Sequence, residues 1–219
     1  PYVRKVFREK GLPQDLIFLP FAESGFNPWA YSHAGAAGMW QFMPATGRHY
    51  GLEVNWWVDE RRDPYRSTRA AARYLQKLHR QFGSWYLALA AYNAGEGTVQ
   101  RALRHSGTKG YYELCQNTSY LRRETRYYVP KFLAILKIVK NLESYDFDKL
   151  SLDSQPDLVQ VDVPSGTDLG RLCSSIDMSW DAFRKHNPFL RRQVTPPSES
   201  TIVHLPRAKK SLAMSFLEN

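Results

Sequence analysis

The run Trp85-Tyr86-Leu87-Ala88-Leu89-Ala90-Ala91-Tyr92 carries no charged side chain. Gly83 stops whatever precedes it, Ser84 stands where an N-cap belongs, and Gly95 follows. A helix that is apolar on every side cannot lie on a surface, so this one is read as the central, buried helix of a helical domain. Val3, Val6 and Phe7 recur at helical spacing over 2–10. Pro13 can open a helix that runs into Glu23. Asp63-Pro64 pairs an N-cap with proline at the first helical position, and Ala70, Ala71, Tyr74, Leu75 and Leu78 share one side of the helix that follows. Further helices are expected over about 97–105 and 120–142, the second bent by Pro130.

The pattern changes after Asp146. The stretch to Asp157 is polar, contains Pro156 and reads as a linker. Leu158–Val163 and Thr201–Leu205 then read as strands, and Thr167–Ser175 and Ser179–His186 as short helices, each preceded by a hydroxyl residue as cap. The expected fold class is mainly α: a helical domain over 1–148, a linker over 149–156, a small separable βααβ module over 157–206 and a tail over 207–219.

Charge divides along the same line. Residues 1–150 hold 22 Lys and Arg against 13 Asp and Glu, whereas 151–219 hold 8 of each. The whole excess of +9 therefore belongs to the helical part, which points to an anionic partner or to solubility. No RNP, helix-turn-helix or zinc pattern accompanies it, and the basic residues are scattered over several helices, so nucleic acid is not the expected partner. Cys115 and Cys173 lack CxxC spacing, fall in different modules and are read as two separate buried thiols; no metal or cofactor is expected. Phe132–Leu136 is stopped by Lys137, so nothing here spans a membrane. The chain opens at Pro1 rather than Met and is read as part of a longer protein.

Four polar islands interrupt the helical part: Glu23-Ser24-Gly25-Phe26-Asn27-Pro28, then Gly35–Pro44, then Ala91-Tyr92-Asn93-Ala94-Gly95, then Glu124-Thr125-Arg126-Tyr127-Tyr128-Val129. Glu23 ends an apolar run, Leu16–Phe21. Desolvation there would raise its pKa and suit it to general acid work; the alternative is a helix end facing solvent. Glycines at 35, 38 and 95 let a ligand approach the backbone. Gln41 and Asn93 offer donors and acceptors for an amide-bearing ligand, and Tyr92 and Tyr128 offer phenolic donors. Glu124, beside Arg123 and Arg126, reads as an ion-pair member, and Asp59, Glu60 and Asp63 beside Arg61 and Arg62 read as a solvated face.

In this order the islands resemble the lytic transglycosylases related to goose-type lysozyme. The form Gly38-Met39-Trp40-Gln41-Phe42-Met43-Pro44 is similar to that of membrane-bound members, with Trp40 where the wider family has Met. The resemblance covers about residues 1–145 and implies a lysozyme-like catalytic domain. It implies that Glu23 is the catalytic acid and then base, and that Ser24 and Asn93 steady the reacting sugar. It implies further that Gln41 bonds near the scissile bond, that Tyr92 and Tyr128 line the site, and that Met39 and Trp40 form a sugar-binding wall. The islands offer one carboxyl group with an apolar lead-in rather than the usual two, and with that the resemblance implies a 1,6-anhydro sugar product made without water. Peptidoglycan glycan strands are the implied partner. The implied setting is the periplasm, for a monomer anchored to the outer membrane through a segment not present here. A water-using muramidase and a non-catalytic peptidoglycan-binding protein are the alternatives. The C-terminal segment resembles a LysM module through Ser165-Gly166-Thr167-Asp168-Leu169, Trp180–Phe183 and Asn187-Pro188. Gly166, Thr167, Asp168, Leu169, Asn187 and Pro188 are its candidate glycan-binding residues; the order Gly-Thr-Asp-Leu and the loop Val194–Ser198 depart from the usual pattern.

Overall fold

The apolar run forms α5 (Trp85–Ala94), the hub of the first of two compact units in a computed structural model that describes residues 1–117, 119–145, 147 and 157–218. The fold is mainly α. The first unit combines 1–27 with 68–149, and the second combines 28–67 with 150–219.

In the first unit α1 (Tyr2–Glu9) buries Val6 and Phe7. The expected helix into Glu23 is instead two pieces, a 3-10 turn (Gln14–Phe18) and α2 (Leu19–Ser24). Pro20 explains the break: it is tolerated only in the first turn of a helix, so a new helix starts around it. α4 (Pro64–Phe82) begins as expected, with Asp63 Oδ1 accepting the Tyr65 and Arg66 amides at 2.7 and 3.0 Å. α5 buries Leu87 through Ala91 and packs on α6 (Glu96–Ser106), α7 (Tyr111–Gln116) and α8 (Arg123–Lys140). Both ends reach the surface: Tyr86 is exposed and Tyr92, Asn93 and Ala94 are half-buried, and Ser84 makes no side-chain cap bond. Leu87 and Leu89 sit at the centre of this packing, where truncation of either to Ala costs about 2–5 kcal/mol. α7, like α3 (Pro44–His49) of the second unit, is six residues long and was not anticipated.

The second unit holds the expected βααβ order. β1 (Leu158–Val163) pairs antiparallel with β2 (Thr201–Pro206), from Leu158 opposite Pro206 to Val163 opposite Thr201. α9 (Leu169–Ser175) and α10 (Trp180–His186) lie between them. Ser179 caps α10 as expected, but the cap of α9 is Asp168, whose side chain accepts from the Arg171 amide. Thr167 turns back to the Pro164 carbonyl instead. The stretch read as a tail is structured: after a 3-10 turn, α11 (Lys210–Leu217) packs on α9 and β1 and buries Ala213. The linker expected over 149–156 lies outside the described residues. The module's core also includes Val58, from the 28–67 stretch, alongside Val161, Leu172, Phe183 and Leu205. Val58 pairs by a β-bridge with Leu190, and the Asp59 amide donates to the Phe189 carbonyl at 2.8 Å.

The acidic and basic residues at 59–63 are not a solvated face. Asp59, Glu60, Arg61 and Asp63 are all buried. Arg61 explains this: it grips Asp59 through two nitrogens at 2.8 Å and donates to the carbonyls of Gly35 (2.7 Å) and Phe42 (2.9 Å). A buried guanidinium survives only when its donors are satisfied in this way. Both cysteines are unpaired; Cys173 is buried, which pushes its thiol up to about 11, and Cys115 is half-buried. Among the described residues no helix is long and apolar enough to cross a membrane.

Candidate active site

Glu23 stands in the last turn of α2, whose Leu19, Pro20 and Ala22 are buried. Gly25 ends the helix in the left-handed conformation at φ 64, and the Phe26 amide after it donates to the Pro20 carbonyl at 3.2 Å. Ser24 Oγ donates to the same carbonyl at 3.4 Å. Glu23 is therefore held on a short, pinned helix, half-buried, with a strip of accessible surface. α8 packs against α2 and brings two groups to it. Tyr128 donates its hydroxyl to Glu23 Oε1. One turn on, on the same helix face, Lys131 Nζ donates to the Ala22 carbonyl at 2.8 Å.

Burial dominates the electrostatics of this carboxyl group. Desolvation raises its pKa from 4.5 to about 7, with Glu124 adding to the rise; the Tyr128 hydrogen bond and the Lys131 charge oppose it. A group poised there holds comparable acid and base populations near neutral pH, so one residue can give a proton and later take one. Tyr92 and Tyr128 are driven the other way from reactivity. Burial and the neighbouring Glu23 hold both phenols well above their ordinary range, so they stay protonated donors.

Asn93 stands in the last turn of α5, next to Tyr92. Thr125 Oγ1 donates to Asn93 Oδ1 at 2.9 Å, leaving the amide nitrogen without a protein partner among the described residues. Thr125 is itself buried at the start of α8, where Tyr111 donates to the Arg126 carbonyl at 2.8 Å. Glu124 is exposed and makes no ion pair among the described residues, contrary to the expected pairing with its arginine neighbours. It acts through charge alone. The sequence reading gave no role to Lys131, Tyr74 or Thr125. The three-residue spacing from Tyr128 to Lys131 was the available signal for the first. Tyr74, whose ring lies 5.2 Å from that of Tyr92, had only its place in an apolar stripe.

Met39, Trp40 and Gln41 belong to the second unit. Trp40 is fully buried and Met39 nearly so, which makes them core packing rather than an open sugar wall. Gly38 is glycine because its own chain crowds it: at φ +79, a Cβ would stand 1.8 Å from the Arg61 carbonyl oxygen. No ligand is needed to explain it. Gln41 holds φ 49, a conformation costly to a residue with a Cβ, and donates its amide to the carbonyls of Gly38 (2.8 Å) and Ala30 (3.4 Å).

In the βααβ module half of the candidate residues are structural. Leu169, Asn187 and Pro188 are buried. Asn187 donates to the Phe183 and His204 carbonyls and accepts the His204 amide at 2.7 Å, which spends its side chain on joining α10 to β2. Gly166 and Thr167 form the turn after β1, tied to Pro196 and Thr195, and Asp168 is the cap already described.

Residues 2–115 match the transglycosylase SLT domain, and residues 157–219 match the LysM-like domain of lytic transglycosylase MltD. Membrane-bound lytic murein transglycosylase D of Escherichia coli strain K12 is 34% identical over 205 residues, 91% of this chain and 44% of that protein. A putative tributyltin chloride resistance protein of Alteromonas sp. strain M-1 is 41% identical over 109 residues, 49% of this chain and 53% of that one. The chain thus spans under two thirds of these relatives. Among solved structures, the 70 kDa soluble lytic transglycosylase of Escherichia coli is 28% identical and superposes with a TM-score of 0.55 over 65% of this chain and 24% of that one. The 70 kDa soluble lytic transglycosylase in complex with bulgecin A is 29% identical, with a TM-score of 0.56 over 70% and 25%.

Proposed function

The chain belongs to the transglycosylase SLT domain family, and on that premise we propose that it is a lytic transglycosylase of peptidoglycan. It breaks the β-1,4 bond between N-acetylmuramic acid and N-acetylglucosamine and leaves 1,6-anhydro ends. The observation that carries this reading is the single poised carboxyl group. Burial pushes Glu23 up to about 7, and among the described residues the other carboxylate acting on it is Glu124, which is exposed. Hydrolases that use two carboxylates need both at the scissile bond.

Protonated Glu23 gives its proton to the glycosidic oxygen as the C1–O bond breaks, and the N-acetyl group of the substrate stabilises the cationic C1. Glu23, now a carboxylate held by Tyr128, takes the proton of the C6 hydroxyl while O6 bonds to C1. The proton count closes and no water is consumed. The amide nitrogen of Asn93, oriented by Thr125, and Ser24 steady the sugar, and Tyr92 lines the site. The relatives' membrane-bound description supports a place in the periplasm, with the anchor to the outer membrane in a segment outside these residues. The protein acts as a monomer. Mass analysis of digestion products tests the reading: anhydro ends support it, and reducing ends favour a muramidase.

A further inference from the structure

In the second unit Arg61, Arg62 and Arg191 act on the Asp59 carboxylate, and Arg184 lies close to Arg62. Arg61 spends its donors on Asp59 and on two backbone carbonyls. Arg191 donates to Asp59 Oδ2 at 3.2 Å and to the Asn55 carbonyl. The nearby acids are engaged too: Glu60 pairs with Arg66, and Asp63 caps α4. Arg62 and Arg184 are left over. Neither guanidinium makes a hydrogen bond or an ion pair among the described residues, and the Nε of each is buried without a partner.

Aromatic rings hold these two guanidiniums in place. Arg184 lies over Trp29 at 4.7 Å and over Trp180 at 5.9 Å, and Arg62 lies over Tyr31 at 5.9 Å. The rings cover the planar faces, which leaves the donor edges to recognise a ligand. Desolvation holds the Arg62 pKa below its ordinary value; Asp59 opposes that, and Arg191, Arg61 and Arg184 reinforce it. The two arginines are therefore close enough to repel each other, half-buried, and short of one anion. Gathering like charges around idle donors is unfavourable unless a counter-charge arrives. A planar carboxylate matches the guanidinium fork through two parallel hydrogen bonds.

We propose that Arg62 and Arg184, walled by Trp29, Tyr31 and Trp180, bind a carboxylate on the peptide side chains that peptidoglycan strands carry. This rests on the peptidoglycan reading above and adds that the protein recognises the peptide as well as the glycan. The surface selects strands whose peptides are intact and whose carboxylates are unmodified.

The test uses the whole chain carrying Glu23→Gln, so that ligands are not consumed, and follows tryptophan fluorescence. Three soluble probes are titrated: a glycan oligomer bearing peptides, the same oligomer with its peptide carboxylates amidated, and the same oligomer without peptides. The peptide-bearing probe is expected to bind about tenfold tighter than the other two, and Arg62→Gln with Arg184→Gln to abolish that difference while leaving peptide-free binding unchanged; tenfold corresponds to about 1.4 kcal/mol. Arg184→Lys is expected to recover only part of it, since an ammonium lacks the planar fork. Equal binding of all three probes would overturn the proposal and leave the peptidoglycan reading standing. No binding of any probe would overturn both. If the double variant unfolds, the amidated probe on the parent protein still decides.

Discussion

Replacing Glu23 by Gln is expected to stabilise the protein at alkaline pH while removing its chemistry. Burial pushes the folded carboxyl group up to about 7 from its ordinary 4.5. A raised folded-state value means the folded protein holds its proton more tightly than the unfolded chain. That contribution is fully present below about 4.5 and is lost as pH rises through about 7. At pH 4 the neutral acid and the near-isosteric amide should give equal stability. At pH 8 the wild-type protein holds an ionised carboxylate in a desolvated site and the variant does not. At roughly 1.4 kcal/mol per pH unit, the interval from 4.5 to about 7 gives the variant an advantage of up to about 3 kcal/mol. Urea unfolding followed by far-UV ellipticity, at pH 4, 6 and 8, measures it. The advantage should open between pH 4 and 8 and be absent at the acid end. Equal stability at every pH, or a variant less stable at pH 8, would refute burial as the cause of the poised carboxyl group.

Tyr128→Phe keeps the buried ring and removes one hydrogen bond to the carboxylate, worth about 1.5–3 kcal/mol. The alkaline limb of the kcat/KM profile should therefore move up by about 1 to 2 pH units; a limb that stays put or moves down contradicts the assignment. Gly38→Ala should cost about 3 kcal/mol or more, read as a lowered unfolding midpoint, because the new methyl meets the Arg61 carbonyl. Deleting 151–219 should leave residues 50–66 open to proteolysis, since Val58 loses its core, Asp59 loses Arg191 and Tyr65 loses the stacked His204 ring; an unchanged cleavage map would show the module to be separable after all.

Elements with a local signature were legible in the sequence. α4, α5 and α6 each have a proline or glycine boundary, and β1 alternates in part, so each was found near its observed limits, as was α8. α3 and α7 are too short for a period to show. The second kind of error came from long-range partners. Asp59, Glu60, Asp63 and Arg61 have the composition of a solvated loop, and partners distant in the chain, the Gly35 and Phe42 carbonyls for Arg61 and Arg191 for Asp59, help to offset their burial. Asn187 was a candidate glycan-binding residue through the LysM resemblance, and its structural role was hidden because its partners on His204 lie across the module. Glu23 was legible because its cause is local: an apolar lead-in that ends at a glycine. Lys131 was not, since nothing in its own neighbourhood says that it reaches the Ala22 carbonyl.

The central claim is that one carboxyl group gives and takes a proton without involving water. Mass spectrometry of the soluble products from purified peptidoglycan tests it most directly, with Glu23→Gln digested in parallel. The account predicts muramic ends lighter by one water than hydrolysis would leave, and a loss of turnover in the variant by a factor of about 10⁴. Products ending mainly in reducing sugars, or a variant that keeps cutting at a rate near wild type, would contradict it.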